Sequence, residues 1–161
     1  MIRKLLLFIS IIPAMAIALS TDKGQPINVK AQTVIIDEKA GHSIYSGNAK
    51  VMQGSLILSA KKIQIYNNQK TVTKVIAKGN KEQRAHYQQN QENQSRFIEA
   101  TANKITYLIK TEMVHLKGNA HLTQGFDSFS GGTLDYDIKN DKVIAEKSND
   151  GTQRVRFKIK L

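Results

Sequence analysis

The chain has no cysteine, no tryptophan and only two prolines, and it carries 13 acidic residues against 24 Lys and Arg. The missing thiols exclude disulfides, thiolate catalysis and the cysteine-rich zinc and iron–sulfur sites. With proline confined to Pro13 and Pro26, no strand beyond residue 26 is forced to give up a ladder hydrogen bond. Aromatic residues are 6% of the chain and form no strand resembling an RNA-recognition consensus, and no basic helix is apparent, so nucleic acid is a poor match for the basic charge. Catalytic patterns are missing as well: there is no HExxH, no GxSxG and no glycine-rich phosphate loop ahead of a helix. His42, His86, His115 and His121 are scattered without metal-ligand spacing, and Asp135 and Asp137, two apart on a strand, read as a solvent-facing side. These absences argue against an enzyme, a metal site or a bound cofactor.

Long apolar runs are also scarce. The longest, Leu5 to Leu19, holds 15 residues and includes Ser10 and Pro13, whereas a spanning helix needs about 20. Arg3 and Lys4 precede it and Ala14-Met15-Ala16 or Ala16-Ile17-Ala18 offers a small-residue cleavage site, so residues 1–18 read as a cleaved signal peptide. Residues 19–161 then form a single domain that works outside the cytoplasm; without cleavage the chain would be membrane-anchored. Removing Arg3 and Lys4 leaves 22 cations against 13 acids, a balance of +9. Such a charge favours an anionic partner, an acidic membrane or a phosphorylated glycolipid. The alternative is an exported scaffold or binding module that recognises an anionic polymer.

What the sequence does have is an internal register. Residues 31–66 lie without a gap on residues 102–137, offset by 71, so that Gly47-Asn48-Ala49 falls on Gly118-Asn119-Ala120 and Gln53-Gly54 on Gln124-Gly125. Nested inside is a smaller unit: a small residue, two positions, then an apolar-x-apolar pair, at Ala31/Val34/Ile36, Ala60/Ile63/Ile65, Ala102/Ile105/Tyr107 and Gly131/Leu134/Tyr136. Leu56, Leu58 and Ala60 alternate with period two, yet the next apolar residues are Ile63 and Ile65. That slip of one residue would turn the second pair to the opposite face of a straight strand. A bulge or corner, where the strand leaves one sheet for another, keeps both sets facing inward.

Strands are therefore expected at Ile27 and Val29, 34–36, 43–51, 56–60, 63–66, 72–77, 82–87, 97–102, 105–109, 113–122, 126–131, 134–138 and 142–145, with a turn at Asn67-Asn68 and a polar loop from Gln88 to Ser95. The fold class is all-β. The cleanest alternation is the last, where Val155, Phe157, Ile159 and Leu161 interleave with Arg154, Arg156, Lys158 and Lys160. As a final strand it offers an unpaired edge able to accept another chain, with the edge around Ile27 to Ala31 as its counterpart in head-to-tail self-association.

The stretches Gln25-Pro26-Ile27-Asn28-Val29, Ser46 to Gly54, Ala60-Lys61-Lys62-Ile63 and Leu116 to Leu122 resemble the LptA-type, OstA-like family of periplasmic lipopolysaccharide-transport proteins of Gram-negative bacteria. The resemblance covers about Gln25 to Phe157. It implies a twisted, partly open antiparallel β-jelly roll enclosing an apolar groove. It further implies a periplasmic bridge that passes lipopolysaccharide, held by its lipid A, from an inner-membrane complex with an LptC-type protein to an outer-membrane translocon of LptD type. Family groove residues near the N-terminal end fall on Ile27 and Val29; the repeated pairs add Val34, Ile36, Ile63, Ile65, Ile105, Tyr107, Leu134 and Tyr136, and the alternating run before the corner adds Leu56 and Leu58. The assembly edge is expected at Arg154, Val155, Arg156, Phe157, Lys158 and Ile159. Exposing a dozen methylenes to water costs on the order of 9 kcal/mol, against about 1 kcal/mol per surface charge, so an apolar face would dominate lipid binding.

Overall fold

The computed structural model describes residues 22–69, 71–91 and 96–160. The expected signal peptide lies outside them, as does part of the polar segment at 88–95. After a short 3-10 turn, Asp22–Gly24, come twelve strands: β1 Asn28–Lys30, β2 Thr33–Asp37, β3 His42–Gln53, β4 Leu56–Asn68, β5 Thr71–Lys78, β6 Ala85–Gln91, β7 Arg96–Ala102, β8 Lys104–Leu108, β9 Met113–Gln124, β10 Asp127–Asp137, β11 Lys142–Glu146 and β12 Arg156–Lys158. All pairings are antiparallel, and together they make one continuous hydrogen-bonded surface.

That surface is folded into two layers by its four long strands, which each belong to both. The first layer runs β2, residues 42–46, residues 62–68, β5, β8, residues 113–117, residues 133–137, β11. The second runs β1, residues 49–53, residues 56–60, β6, β7, residues 120–124, residues 127–131, β12. The corners are where the parity slips. Between β3 and β4 the register jumps from Ser46↔Lys62 to Ala49↔Ala60, so Gly47 and Asn48 oppose Lys61 alone. Between β9 and β10 it jumps from Gly131↔Ala120 to Thr133↔Lys117, so Gly118 and Asn119 oppose Gly132. Gly47 and Gly118 sit at φ +78° and +80°, where a side chain is strained, and their would-be Cβ positions are taken by Gln32 and Asn103.

The whole six-strand pattern recurs. The register of β2 on β3 and of β1 on β3 reappears, shifted by 71, as β8 on β9 and β7 on β9. Among the described residues every passage from one layer to the other lies on the same margin, which acts as a spine, while the opposite margin carries the hairpin turns and the Asp22–Gly24 turn. Between the layers lies a core that includes Leu58, Ile63, Tyr87, Ile98, Ile105, Leu116, Leu122, Leu134 and Tyr136, each under 2% exposed. Burying an aliphatic side chain of this kind stabilises the fold by about 2 kcal/mol.

Several expected boundaries change. Residues 56–60 and 63–66 are one bent strand, β4, as are 126–131 and 134–138 in β10, because the backbone ladder continues through the corner. Asn67 and Asn68 stay in the ladder opposite Val72 and Thr71, and the turn moves to Gln69 at φ +46°. Residues 88–91 are not loop. They pair with 96–99, and the inward Gln89 is satisfied by Asp22 and the Tyr87 hydroxyl, which a polar tract read for apolar content does not reveal. The clean alternation at the C-terminus yields only the three-residue β12, since it pairs only with Ser128, Phe129 and Ser130.

Candidate lipid groove and its open ends

The twelve expected groove residues divide by their place along the stack. Leu56, Leu58, Ile63, Ile65, Ile105, Tyr107, Leu134 and Tyr136 are brought together in the closed middle, buried among one another. Ile27, Val34 and Ile36 are exposed at the N-terminal end, with Val29 half-buried beside them. The difference is one of neighbours. Val34 and Ile36 occupy the same register positions as Ile105 and Tyr107, yet they are 49% and 63% exposed against 0% and 6%. At the other end Phe157 opposes Phe129 as Tyr87 opposes Leu58, but Phe157 is 71% exposed and Tyr87 0%. The inner face thus stays apolar to both ends of the stack and is uncovered there. At the C-terminal end a cavity of about 860 Å³ opens between Ala145 and Val155, flanked by Lys147 and Arg154.

Among the described residues, hydrogen bonds and one ion pair cross the hairpin margin in the second half. Asp141, in the turn between β10 and β11, accepts from Gln124 Nε2 at 2.9 Å and from the Tyr136 hydroxyl at 3.3 Å, and pairs with Arg96 Nη1 at 3.1 Å. That set ties the first layer to the second across the gap. In the first half the polar contacts of Asp22 stay within the second layer, where it accepts from Gln89 Nε2 at 2.7 Å, Ser55 N at 2.6 Å and Ser55 Oγ at 2.7 Å. Close by, Tyr87 and Tyr107 meet edge to face, 6.2 Å between ring centroids. Burial, then the charge of Asp22, raises the Tyr107 hydroxyl pKa; burial, then its neighbouring tyrosines and Asp22, raises that of Tyr87, so both remain protonated donors.

The assembly-edge residues Arg154 to Ile159 are all exposed, and only Arg156, Phe157 and Lys158 sit in a ladder. Three histidines have local partners: His42 stacks on Tyr66 at 4.6 Å, His86 meets Glu99 at 2.7 Å and His115 meets Asp135 at 2.6 Å. Among the described residues no group of His, Asp or Glu has the arrangement of a metal site. Sequence reasoning missed the seam residues Asp22, Gln89, Gln124 and Asp141, whose partners are distant in the chain. It also missed Ile35 and Ile144, 59% and 46% exposed, whose signal was available: each puts an apolar residue where the strand alternation calls for a polar one.

Two antiparallel β layers around an apolar interior that runs uncovered to both ends define a jelly-roll-like carrier class. The chain belongs to the LptA/(LptD N-terminal domain) LPS transport protein family, whose model matches residues 28–142. It is 28% identical to the lipopolysaccharide export system protein LptH of Pseudomonas aeruginosa over 84% of this chain and 76% of that one. The LptA proteins of Haemophilus influenzae and Escherichia coli K12 are 26% and 27% identical, over 87% and 83% of this chain and 80% and 70% of theirs. The crystal structure of P. aeruginosa LptH, described as the LptA-homologous periplasmic component of the lipopolysaccharide transport device, superposes with a TM-score of 0.78 at 24% identity, covering 88% of this chain and 100% of that one. That likeness bears on the fold.

Proposed function

We propose that this protein captures lipopolysaccharide in the periplasm by the acyl chains of its lipid A. It holds them on the apolar inner face and passes the molecule along like domains joined edge to edge, between an inner-membrane LptC-type protein and an outer-membrane LptD-type protein. The observation that carries this reading is the inner face, apolar from end to end and uncovered where the stack stops. The test is photo-crosslinking to lipopolysaccharide from Ile36, Phe157 and Ile27, with mass spectrometry of the adducts. Adducts should form from these positions and be lost to detergent but not to salt. Adducts confined to the outward Lys61 and Gln64, or lost steeply with salt, would sink it.

The internal repeat supplies a geometry for the joint between copies. Within the chain the two halves meet through β5 on β8, as in Val75↔Tyr107, and through β6 on β7, as in Tyr87↔Ala100. The free edges of β11 and β12 occupy the places of β5 and β6, and those of β2 and β1 the places of β8 and β7. Repeating the internal register between copies sets Lys142 opposite Asp37 of the next copy, Val143 opposite Ile36, Ile144 opposite Ile35 and Ala145 opposite Val34. In the second layer it sets Phe157 opposite Val29 and Ile159 opposite Ile27. Opposite charges meet in the Lys142–Asp37 pair and apolar side chains in the five pairs after it, while the same register sets Arg156 opposite Lys30, a like-charge pair on the outer face.

A further inference from the structure

On the outer face of the second layer, away from the groove, Arg84, His121, Arg154 and Arg156 line a cavity of about 350 Å³ at the spine. Its walls are fixed. His121, Ser130 and Arg156 lie in register across β9, β10 and β12. Gln153 grips the corner residue Asn119 twice, accepting from its backbone N at 2.9 Å and donating to its Oδ1 at 2.9 Å, which anchors the neighbouring Arg154. Arg84 reaches in from the loop before β6 and donates to the Asn119 carbonyl at 3.5 Å. No acidic side chain lines the cavity, and among the described residues none of its three arginines is ion-paired. The matching corner of the first half is built differently: His86, paired with Glu99, stands in the place of Arg156. The carboxylate-free set is therefore not a by-product of the repeat.

We infer that this depression is an anion site for a phosphate or pyrophosphate group. Three guanidinium forks converging with a histidine and the Ser130 hydroxyl suit tetrahedral oxyanions, which arginine engages through paired hydrogen bonds. A bound anion would offset the repulsion among the three exposed cations, which water and salt otherwise screen. The site stands apart from the lipid reading, because it opens on the opposite face of the layer, and lipopolysaccharide crosslinking from Ile36 should be unchanged when it is disabled.

Titration of the mature chain with pyrophosphate at low salt, followed by amide NMR, tests the site. Saturable shifts should centre on Asn119, His121 and Gln153, and Arg84→Gln and Arg154→Gln should each weaken binding about tenfold, while Lys139→Gln, in a distant turn, should not. Flotation with phosphatidylcholine vesicles, with and without phosphatidylglycerol, separates the sources. Retention on the anionic vesicles that is lost in Arg84→Gln assigns the site to a lipid headgroup. Pyrophosphate binding without vesicle retention assigns it to a soluble phosphate. Equal weakening by Arg84→Gln and Lys139→Gln, or no saturable shift, overturns the site.

Discussion

Ile36→Asp is the sharpest test of the joint between copies, because Ile36 is 63% exposed in the isolated protein and its replacement leaves the core untouched. Eight apolar side chains at the two ends, Ile27, Val34, Ile35, Ile36, Ile144, Val155, Phe157 and Ile159, are between 41% and 71% exposed. Covering them stabilises a joint by about 1 kcal/mol each, roughly 8 to 10 kcal/mol together. Lost rotational and translational freedom offsets at least about 4 kcal/mol of that, which leaves about 4 to 6 kcal/mol, an association with a dissociation constant between about 40 μM and 1 mM. The substitution removes about 1 to 2 kcal/mol of burial and strands a carboxylate against Val143 at a further cost of about 1 to 2 kcal/mol. A loss of about 3 kcal/mol is a hundredfold rise in the dissociation constant, which should leave the variant monomeric in sedimentation velocity at concentrations where the unsubstituted chain associates. The chain has no cysteine, so single replacements are unambiguous reporters. Ile36→Cys mixed with Val143→Cys, or Ile35→Cys with Ile144→Cys, should oxidise to a dimer, since facing residues of an antiparallel pair approach within disulfide reach. The off-register mixture of Ile35→Cys with Val143→Cys should not. Unchanged self-association in Ile36→Asp, or faster crosslinking in the off-register mixture, refutes the register and the reasoning behind it.

Reversing the charge at Lys142 (Lys142→Asp) or at Asp37 (Asp37→Lys) should weaken self-association several-fold, and combining the two should restore it; failure of the pair to rescue would break the assignment of those residues to one another. Gly132→Ala should lower thermal stability by about 2 kcal/mol, because the added Cβ would stand 2.3 Å from the backbone nitrogen of Ser148, and a calorimetric midpoint equal to that of the unsubstituted protein would contradict the packing of the spine. Asp150 is held down to about 2 by hydrogen bonds from Ser148 and Thr152, so its support of the 148–153 loop is complete above the ordinary carboxylate range near 3.8 and is lost as pH falls through about 2. The Thr152 amide resonance should therefore hold its position down to about pH 4 and move only below it, and a midpoint near 4 would show that the loop is not closed by that carboxylate.

The corners were legible because side-chain alternation is a direct record of which way a strand faces: the step from Ala60 to Ile63 has no other economical reading. The two halves were legible for the same reason. Burial was not, since Val34 and Ile105 look alike as residues and differ only in whether a neighbour lies alongside. The length of β12 escaped because alternation from Arg154 to Leu161 reports an amphipathic strand without saying how much of a partner is available to it. The bridge across the hairpin margin escaped because Arg96 and Asp141 are 45 residues apart, and nothing local marks either as the other's partner.

The single spine has a consequence for cargo size. Both layers are joined by backbone on one side, whereas among the described residues the far side is held by side-chain contacts such as those of Asp141. A molecule carried inside by its fatty tails never has to thread its water-loving part through a ring. On the proposed reading that part would trail in solvent beside this margin during passage, so its bulk, whether a few sugars or a long polymer of them, would set no limit on the cargo.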